Sequence, residues 1–131
     1  MNELVFQSLS DRIKHGNVMA AQCPSRALLQ HLTSRWGVLV LVALTPGTLR
    51  FSELRRRIDG VSERMLAQTL QQLEADGVLT RRVFNTVPPQ VDYTLTPLGQ
   101  EAAQRLGLLV DWLEVNLPRF ARPHQAKPTA S

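Results

Sequence analysis

Between Ser62 and Gly77, apolar and polar residues alternate with the period of an α-helix. Leu66, Leu70 and Leu73 follow one another at spacings of four and three residues, so they form one apolar stripe along a helix. Serine is a common N-cap residue, and glycine commonly follows the last turn of a helix. The pattern therefore predicts a helix that begins after Ser62 and ends before Gly77.

A shorter apolar pattern precedes this helix. The stretch FSELRRRI places Phe51, Leu54 and Ile58 on one side of a helix, with Ser52 as its predicted N-cap. Gly60 lies in the break between the two helices, where it can adopt a positive φ at little steric cost. Two helices joined by so short a break predict a helix-turn-helix pair.

The chain upstream of this pair is predicted to be mostly helical. Residues 1–22 are expected to form a helix or arm, and Pro24 suits the first turn of the helix that follows. The stretch SRWGVLVLVALTPGT predicts a short buried helix, which Pro46 and Gly47 end. The next four residues, TLRF, predict a brief strand.

Downstream of the pair, the runs VLTRRVF and QVDYTLT are β-prone and predict a hairpin. Thr96 and Pro97 begin a last helix that runs to about Leu117. Residues 118–131 are polar and proline-rich, and we expect a flexible tail. The order of elements predicts one winged helix-turn-helix domain over residues 23–117, mainly α with a small β-hairpin wing and thus α+β.

The face opposite the leucine stripe carries a fork-shaped cation and three amides. In a helix-turn-helix pair the second helix lies in the major groove, with its early residues nearest the base edges. Arg64 could pair bidentately with guanine and Gln68 with adenine, whereas the acidic Glu74 and Asp76 would be repelled by phosphate. An ordinary water-facing surface is the alternative, because Gln and Arg are good helix formers. The candidate base-reading residues are Ser62, Arg64, Gln68, Gln71 and Gln72.

Arginine dominates the positive charge of the chain. The formal net charge is +4, and thirteen of the fifteen cations are Arg. The planar donors of Arg suit phosphate and guanine edges, although a GC-rich genome would also favour Arg codons. One cation of the RRR run at 55–57 could instead pair with Glu53 or Asp59. The candidates for DNA-backbone and wing contacts are Arg35, Arg55, Arg56, Arg81, Arg82 and Gln90.

Other classes of protein find little support. The longest apolar run, Val38 to Leu44, is far too short to span a bilayer, and no signal peptide is visible, so we expect a cytoplasmic protein without a membrane partner. A single cysteine and three scattered histidines predict no structural metal, and we expect no cofactor. The chain has no glycine-rich phosphate loop and no plausible triad, which argues against an enzyme. A winged helix that binds another protein is the remaining rival.

The stretch from Cys23 to about Leu117 resembles the HxlR-type family of bacterial transcriptional regulators, which is related to MarR-type repressors. The matching pieces are the Cys-Pro opening, RWGVLVL, RFSELRRRI, VSERMLAQTLQQLEADG, VPPQVDYTLTPLG and a C-terminal helix. The resemblance implies a homodimer that binds double-stranded DNA at pseudo-palindromic operators and forms through its N- and C-terminal helices. Where many relatives have GGKW this chain has TSRW, so Arg35 keeps the cation for a phosphate contact.

The composition of the last helix independently predicts association. This helix is more apolar than one exposed helix needs, and packing on its own domain would cover only some of these residues. A self-pairing dimer with twofold symmetry is the commonest partner for the rest. The candidates for dimerisation are Leu106, Leu109, Val110, Leu113 and Leu117, with Trp112 beside them.

Cys23 is the candidate for chemistry. It precedes Pro24 at a predicted helix start, where the helix dipole and free N–H groups favour a thiolate, and Arg26 is close in sequence. Accessible thiolates react with oxidants and electrophiles, but a free cysteine is also common as a small buried apolar residue. Members of the HxlR-type family, which this chain resembles, use a cysteine in this Cys-Pro position to sense oxidants or electrophiles such as quinones and aldehydes. The resemblance therefore implies redox sensing by Cys23, with such a molecule as effector.

Overall fold

The computed structural model describes residues 17–121. Its elements are α1 (Pro24–Leu32), α2 (Arg35–Leu44), β1 (Leu49–Arg50), α3 (Phe51–Arg57), α4 (Glu63–Ala75), β2 (Leu79–Phe84), β3 (Gln90–Leu95) and α5 (Pro97–Asn116), followed by a 3-10 turn at Leu117–Arg119. This order confirms the predicted winged helix-turn-helix fold. The predicted N-terminal helix lies outside the described residues except for turns within 17–22, and only residues 118–121 of the predicted tail are described.

The helices α4 and α5 begin where their capping residues predict. The Ser62 hydroxyl accepts the Met65 N–H at 3.0 Å, and the Thr96 hydroxyl accepts the Gly99 N–H at 3.0 Å. Just beyond the end of α4, Gly77 has a φ of 83°, a left-handed conformation that costs glycine little. The predicted bounds of α4 are therefore confirmed.

The start of α3 differs from the prediction. The helix begins at Phe51, so Ser52 lies inside the first turn and its predicted role as N-cap is wrong. The N-cap position is held by Arg50, and Oε1 of Glu53 in the first turn accepts the Arg50 N–H at 2.9 Å. A negative charge in the first turn is also favoured by the positive end of the helix dipole.

The three strands form one antiparallel sheet in the order β1-β3-β2. The strands β2 and β3 pair along their whole length and close with Phe84 opposite Gln90. We call this hairpin, with its connection at residues 85–89, the wing. The brief strand predicted from TLRF is confirmed as β1, and it adds a third strand by pairing Arg50 with Asp92 of β3.

The hydrophobic core lies between α2, α3, α4 and one face of the sheet. The α4 stripe is its centre, since Leu66, Leu70 and Leu73 are each at most 1% exposed. Burying a leucine contributes roughly 1.5–3 kcal/mol, so this stripe fixes which face of α4 points outward. The other core residues are Val40, Leu41, Leu44, Leu54, Ile58, Val61, Val78, Leu79, Tyr93, Leu95 and Ala103.

The first turn of α5 packs closely against the segment that follows α4. Gly99 is buried there, and a Cβ at this position would overlap the Val78 carbonyl. The Thr96 hydroxyl donates to the Gly77 carbonyl at 2.8 Å, and the Thr96 N–H donates to the Val78 carbonyl at 3.0 Å. These contacts hold the end of α4 against α5.

Within residues 17–121, no helix is by itself both long and apolar enough to cross a membrane. The bent pair α1–α2, with 68° between its helices, is long and apolar enough only when the two helices are taken together. Nor does the range contain a group of three or more His, Cys, Asp or Glu side chains that could hold a metal ion.

Candidate nucleic-acid interface

The outward face of α4 carries the residues that the sequence singles out for base reading. Arg64, Gln68 and Gln71 are exposed on the side opposite the leucine stripe. The Ser62 hydroxyl is occupied by the Met65 N–H, so its established contact is the helix cap. The surface is therefore polar, and its arginine and amide groups can reach a ligand in solution.

Two flanks of α4 face different neighbours. Gln68 and Gln72 line a groove between α4 and the α1–α2 connection, whereas Gln71 lines a cleft between α4 and the wing. The Gln72 amide also donates to Asp76 Oδ1 at 3.5 Å, a long contact that turns it toward the end of α4. Of the predicted base-reading residues, Arg64, Gln68 and Gln71 thus share the exposed ridge, and Gln72 lies to one side.

Arg35 lies across the groove from α4. It is the first residue of α2 and is exposed, and its guanidinium carbon is 5.2 Å from the centroid of the Trp36 ring. Ser34 caps this helix by accepting the Gly37 N–H at 3.1 Å. The structure therefore brings the Arg35 cation, at the positive end of a helix dipole, into the same groove as Gln68.

The arginines of α3 are exposed, and none of them has an acidic partner among residues 17–121. Among residues 17–121, His31–Asp76 is the only acid–base contact within 4.0 Å. The alternative in which the run at 55–57 pairs with Glu53 or Asp59 is therefore not realised. Arg55 and Arg56 line a shallow surface pocket with Ser52. These cations are left available to an external anion such as phosphate.

The two wing arginines, both predicted to contact the DNA backbone, separate onto two faces of the sheet. Successive residues of a strand point to opposite faces. Arg81 lines the cleft that Gln71 also lines, whereas the Arg82 guanidinium carbon is 4.8 Å from the centroid of the Phe84 ring on the other face. The Gln90 amide, predicted to contact DNA, donates to Asp92 Oδ1 at 3.0 Å and is half-buried.

One exposed cation was missed by sequence reasoning. In the register of the sheet, Arg50 of β1 lies opposite Asp92 of β3, and Asp92 lies opposite Arg82 of β2. The three side chains therefore form one row on the sheet face that carries Arg82. Only the pairing of β1 with β3 reveals this row, because residue 50 is far from residue 92 in sequence.

Cys23 is half-buried at the N-cap of α1, and its sulfur is 2.9 Å from the Ser25 hydroxyl oxygen. The hydrogen bond from the Ser25 hydroxyl lowers the pKa of the Cys23 thiol below its ordinary value, with smaller help from backbone N–H groups at the helix start. The Arg26 guanidinium instead donates to the Met19 carbonyl at 3.2 Å. Ser25, which no sequence pattern indicated, therefore contributes most to the lowered pKa of Cys23.

The second half of α5 exposes more apolar than polar side chains. Every residue of α5 after Ala103 is at least partly exposed, and Leu109 and Trp112 are more than half exposed. Leu106 packs partly against the core of its own domain, so its availability to a partner is limited. Of the other predicted dimerisation residues, Val110 is half-buried, and Leu113 and Leu117 are exposed. Sequence reasoning missed three further exposed apolar residues here: Leu108, Val115 and Phe120.

Comparison with known proteins gives consistent results. The family model for the HxlR-like helix-turn-helix matches residues 31–120. The HTH-type transcriptional regulator YtfH of Escherichia coli (strain K12) is 60% identical over 111 residues, which cover 85% of this chain and 88% of that protein. The structure of the transcriptional regulator ytfH from Salmonella typhimurium matches with a TM-score of 0.77 and 60% identity, over 79% of this chain and 93% of that one. The structure of the redox regulator HypR in its oxidized form matches with a TM-score of 0.66 and 34% identity, over 72% of this chain and 97% of that one.

Proposed function

This chain belongs to the HxlR-like helix-turn-helix family of transcriptional regulators, and we propose that it acts as a homodimer that reads a pseudo-palindromic operator in double-stranded DNA with α4. In this proposal, binding to the operator represses transcription. Arg64, Gln68 and Gln71 read base edges, and the surrounding arginines hold the phosphates.

The observation that carries the proposal is the composition of the exposed ridge of α4. Its inward face is fixed by three buried leucines, so Arg64, Gln68 and Gln71 face outward and remain accessible. Bidentate donors of this kind match guanine and adenine edges in the major groove. Arg35 and Arg81 lie on the two flanks of the ridge, where a bound duplex would present its backbones.

A homodimer is supported by the unpartnered apolar surface. The exposed side chains of α5 are joined by Leu28 and Leu29 of α1, a helix in which every residue is at least partly exposed. A second copy would cover both surfaces through a twofold axis. It would also place two α4 helices about one duplex turn apart, as a palindromic site requires.

Response to oxidants or electrophiles through Cys23 is the regulatory part of the proposal. The lowered pKa of the Cys23 thiol raises its thiolate fraction at neutral pH, and the thiolate is the reactive form. The similarity to HypR, a redox regulator, also supports a response to oxidants. Modification at the start of α1 would act beside the dimer surface and release DNA.

Selection of duplexes from a random-sequence library tests the proposal. We expect the enriched duplex to contain an inverted repeat and to bind at least 10³-fold tighter than unrelated DNA, with binding that weakens steeply as salt rises. Diamide should release wild-type protein but not Cys23→Ser. Enrichment of no sequence would overturn DNA reading, and equal release of both proteins would overturn only the sensing by Cys23.

A further inference from the structure

The acid–base contact between His31 and Asp76 joins α1 to the end of α4. His31 Nδ1 lies 3.0 Å from Asp76 Oδ2 and 3.2 Å from Oδ1. The Asp76 side chain is only 8% exposed and the His31 side chain 30%. The two residues are 45 positions apart. His31 lines the groove that Gln68 also lines, and Asp76 accepts the long contact from Gln72, but neither His31 nor Asp76 belongs to the base-reading ridge or to the Cys23 site.

Asp76 occupies an unfavourable position for a carboxylate. It is the C-cap of α4, at the negative end of the helix dipole, and its side chain is nearly buried. An imidazole N–H that donates to the carboxylate offsets these costs. A residue in a locally unfavourable position is typical of a site where its contact serves a function.

This contact is the main polar tie between α1 and the rest of the domain. Within residues 17–121, the other side-chain hydrogen bonds of α1 join residues close in sequence: Cys23 with Ser25, Arg26 with Met19, Thr33 with Leu29, and Ser34 with His31. Leu32 supplies an apolar contact with the core. Thr96, just before α5, holds the end of α4 on its other side, because its hydroxyl donates to the Gly77 carbonyl. The end of α4 is therefore clamped between α1 and α5.

We propose that His31 and Asp76 are a positioning pair that sets the angle at which α4 meets DNA; the inference rests on the proposed reading of DNA by α4. Arg64 and Asp76 are twelve residues apart, which corresponds to about 18 Å along the helix. A tilt of about 10° at the Asp76 end would displace Arg64 by about 3 Å. Bidentate base contacts tolerate much less than that, whereas contacts to phosphate are more permissive.

The pair is tested by comparing a selected duplex with unrelated DNA, well below the melting temperature of every variant. His31→Ala and Asp76→Ala should each weaken binding to the selected duplex about tenfold while changing binding to unrelated DNA less than about twofold. The double variant should lose no more than Asp76→Ala alone, because Asp76→Ala already removes the contact with His31 together with the long contact from Gln72. His31→Asn, whose amide nitrogen occupies the place of Nδ1, should recover most of the affinity.

Glu74→Ala is the matched control, because it removes an exposed acid near the same helix end without touching His31, and it should leave selectivity unchanged. Equal losses on both DNAs, multiplicative losses in the double variant, or unchanged binding by both alanine variants would overturn the positioning role while wild type remained selective. A wild type without any preferred duplex would instead overturn the proposed function and, with it, this inference.

Discussion

Arg81 and Arg82 are consecutive in β2, yet their side chains lie on opposite faces of the sheet. Arg81 shares a cleft with Gln71 of α4, and Arg82 covers the Phe84 ring at 4.8 Å. The alternation of a strand imposes this separation, so the two cations cannot approach one phosphate cluster from the same side. Two arginines with equal charge should therefore differ in their effect on DNA binding.

Arg81→Ala should weaken binding to all duplexes and reduce the slope of log K against log salt by about 0.9, the value for one phosphate contact. Arg82→Ala removes the same charge from the other face and should change the slope by less than half as much. Fluorescence anisotropy titrations between low and moderate salt measure both slopes. Equal slope changes would show that the face of the sheet does not matter.

Arg64→Ala and Gln68→Ala should reduce selectivity rather than general affinity. Each bidentate base contact is worth about 1–3 kcal/mol of discrimination, so binding to the selected duplex should fall roughly 5-fold to 150-fold. Gln68→Ala should change the affinity for unrelated DNA much less than the affinity for the selected duplex, because this substitution leaves the charge of the protein unaltered. Arg105→Ala is the control and should bind DNA as wild type does. Arg105 lies on α5, where its guanidinium donates to the Glu101 carbonyl at 2.8 Å.

Gly99→Ala should destabilise the domain, and Gly107→Ala should not. The new Cβ at position 99 would overlap the Val78 carbonyl, whereas position 107 has open space within 4 Å. We expect Gly99→Ala to cost about 1–3 kcal/mol and Gly107→Ala to be neutral or to add up to about 1 kcal/mol from helix propensity. Urea unfolding followed by circular dichroism compares the two, and similar stabilities would refute the close approach of α5.

Leu109→Glu should convert the proposed dimer into a monomer, because a charge would be buried in the interface. Leu98→Glu is the matched control: its leucine is 58% exposed against 56% for Leu109, but it lies in the first turn of α5, which packs on its own domain. Light scattering at micromolar concentration should find a monomer for the first variant and a dimer for the second. A dimer in both would place the interface elsewhere.

Ser25→Ala should slow alkylation of Cys23 at neutral pH. Removal of the main hydrogen bond to the thiolate raises the pKa of Cys23 toward its ordinary value, so a smaller fraction is thiolate at pH 7 and the midpoint of the rate–pH curve moves upward. Iodoacetamide kinetics across pH 6–10 measure this shift. The two proteins should react alike in urea, where the hydrogen bond is lost; Ser52→Ala, in α3, should follow wild type when folded.

Much of the fold follows from local patterns. The stripe of Leu66, Leu70 and Leu73, the Ser62 cap and the glycine after α4 each depend on residues within a few positions, so they are readable in the sequence. Ser52 is not the cap because the helix begins earlier, after Arg50, whose N–H donates to the Glu53 carboxylate. This local interaction moves the start of the helix by two residues, from 53 to 51, without altering the order of elements.

The sequence by itself determined which face of α4 is apolar, and hence which residues face outward. The tertiary structure alone decided their surroundings: that Gln68 and Arg35 share a groove, that Arg81 and Arg82 part, and that His31 contacts Asp76. Helical period and capping are set by neighbours along the chain, whereas these relationships depend on strand order and on how helices pack. No local pattern encodes them, because the partners are distant in sequence and meet only after the core has formed.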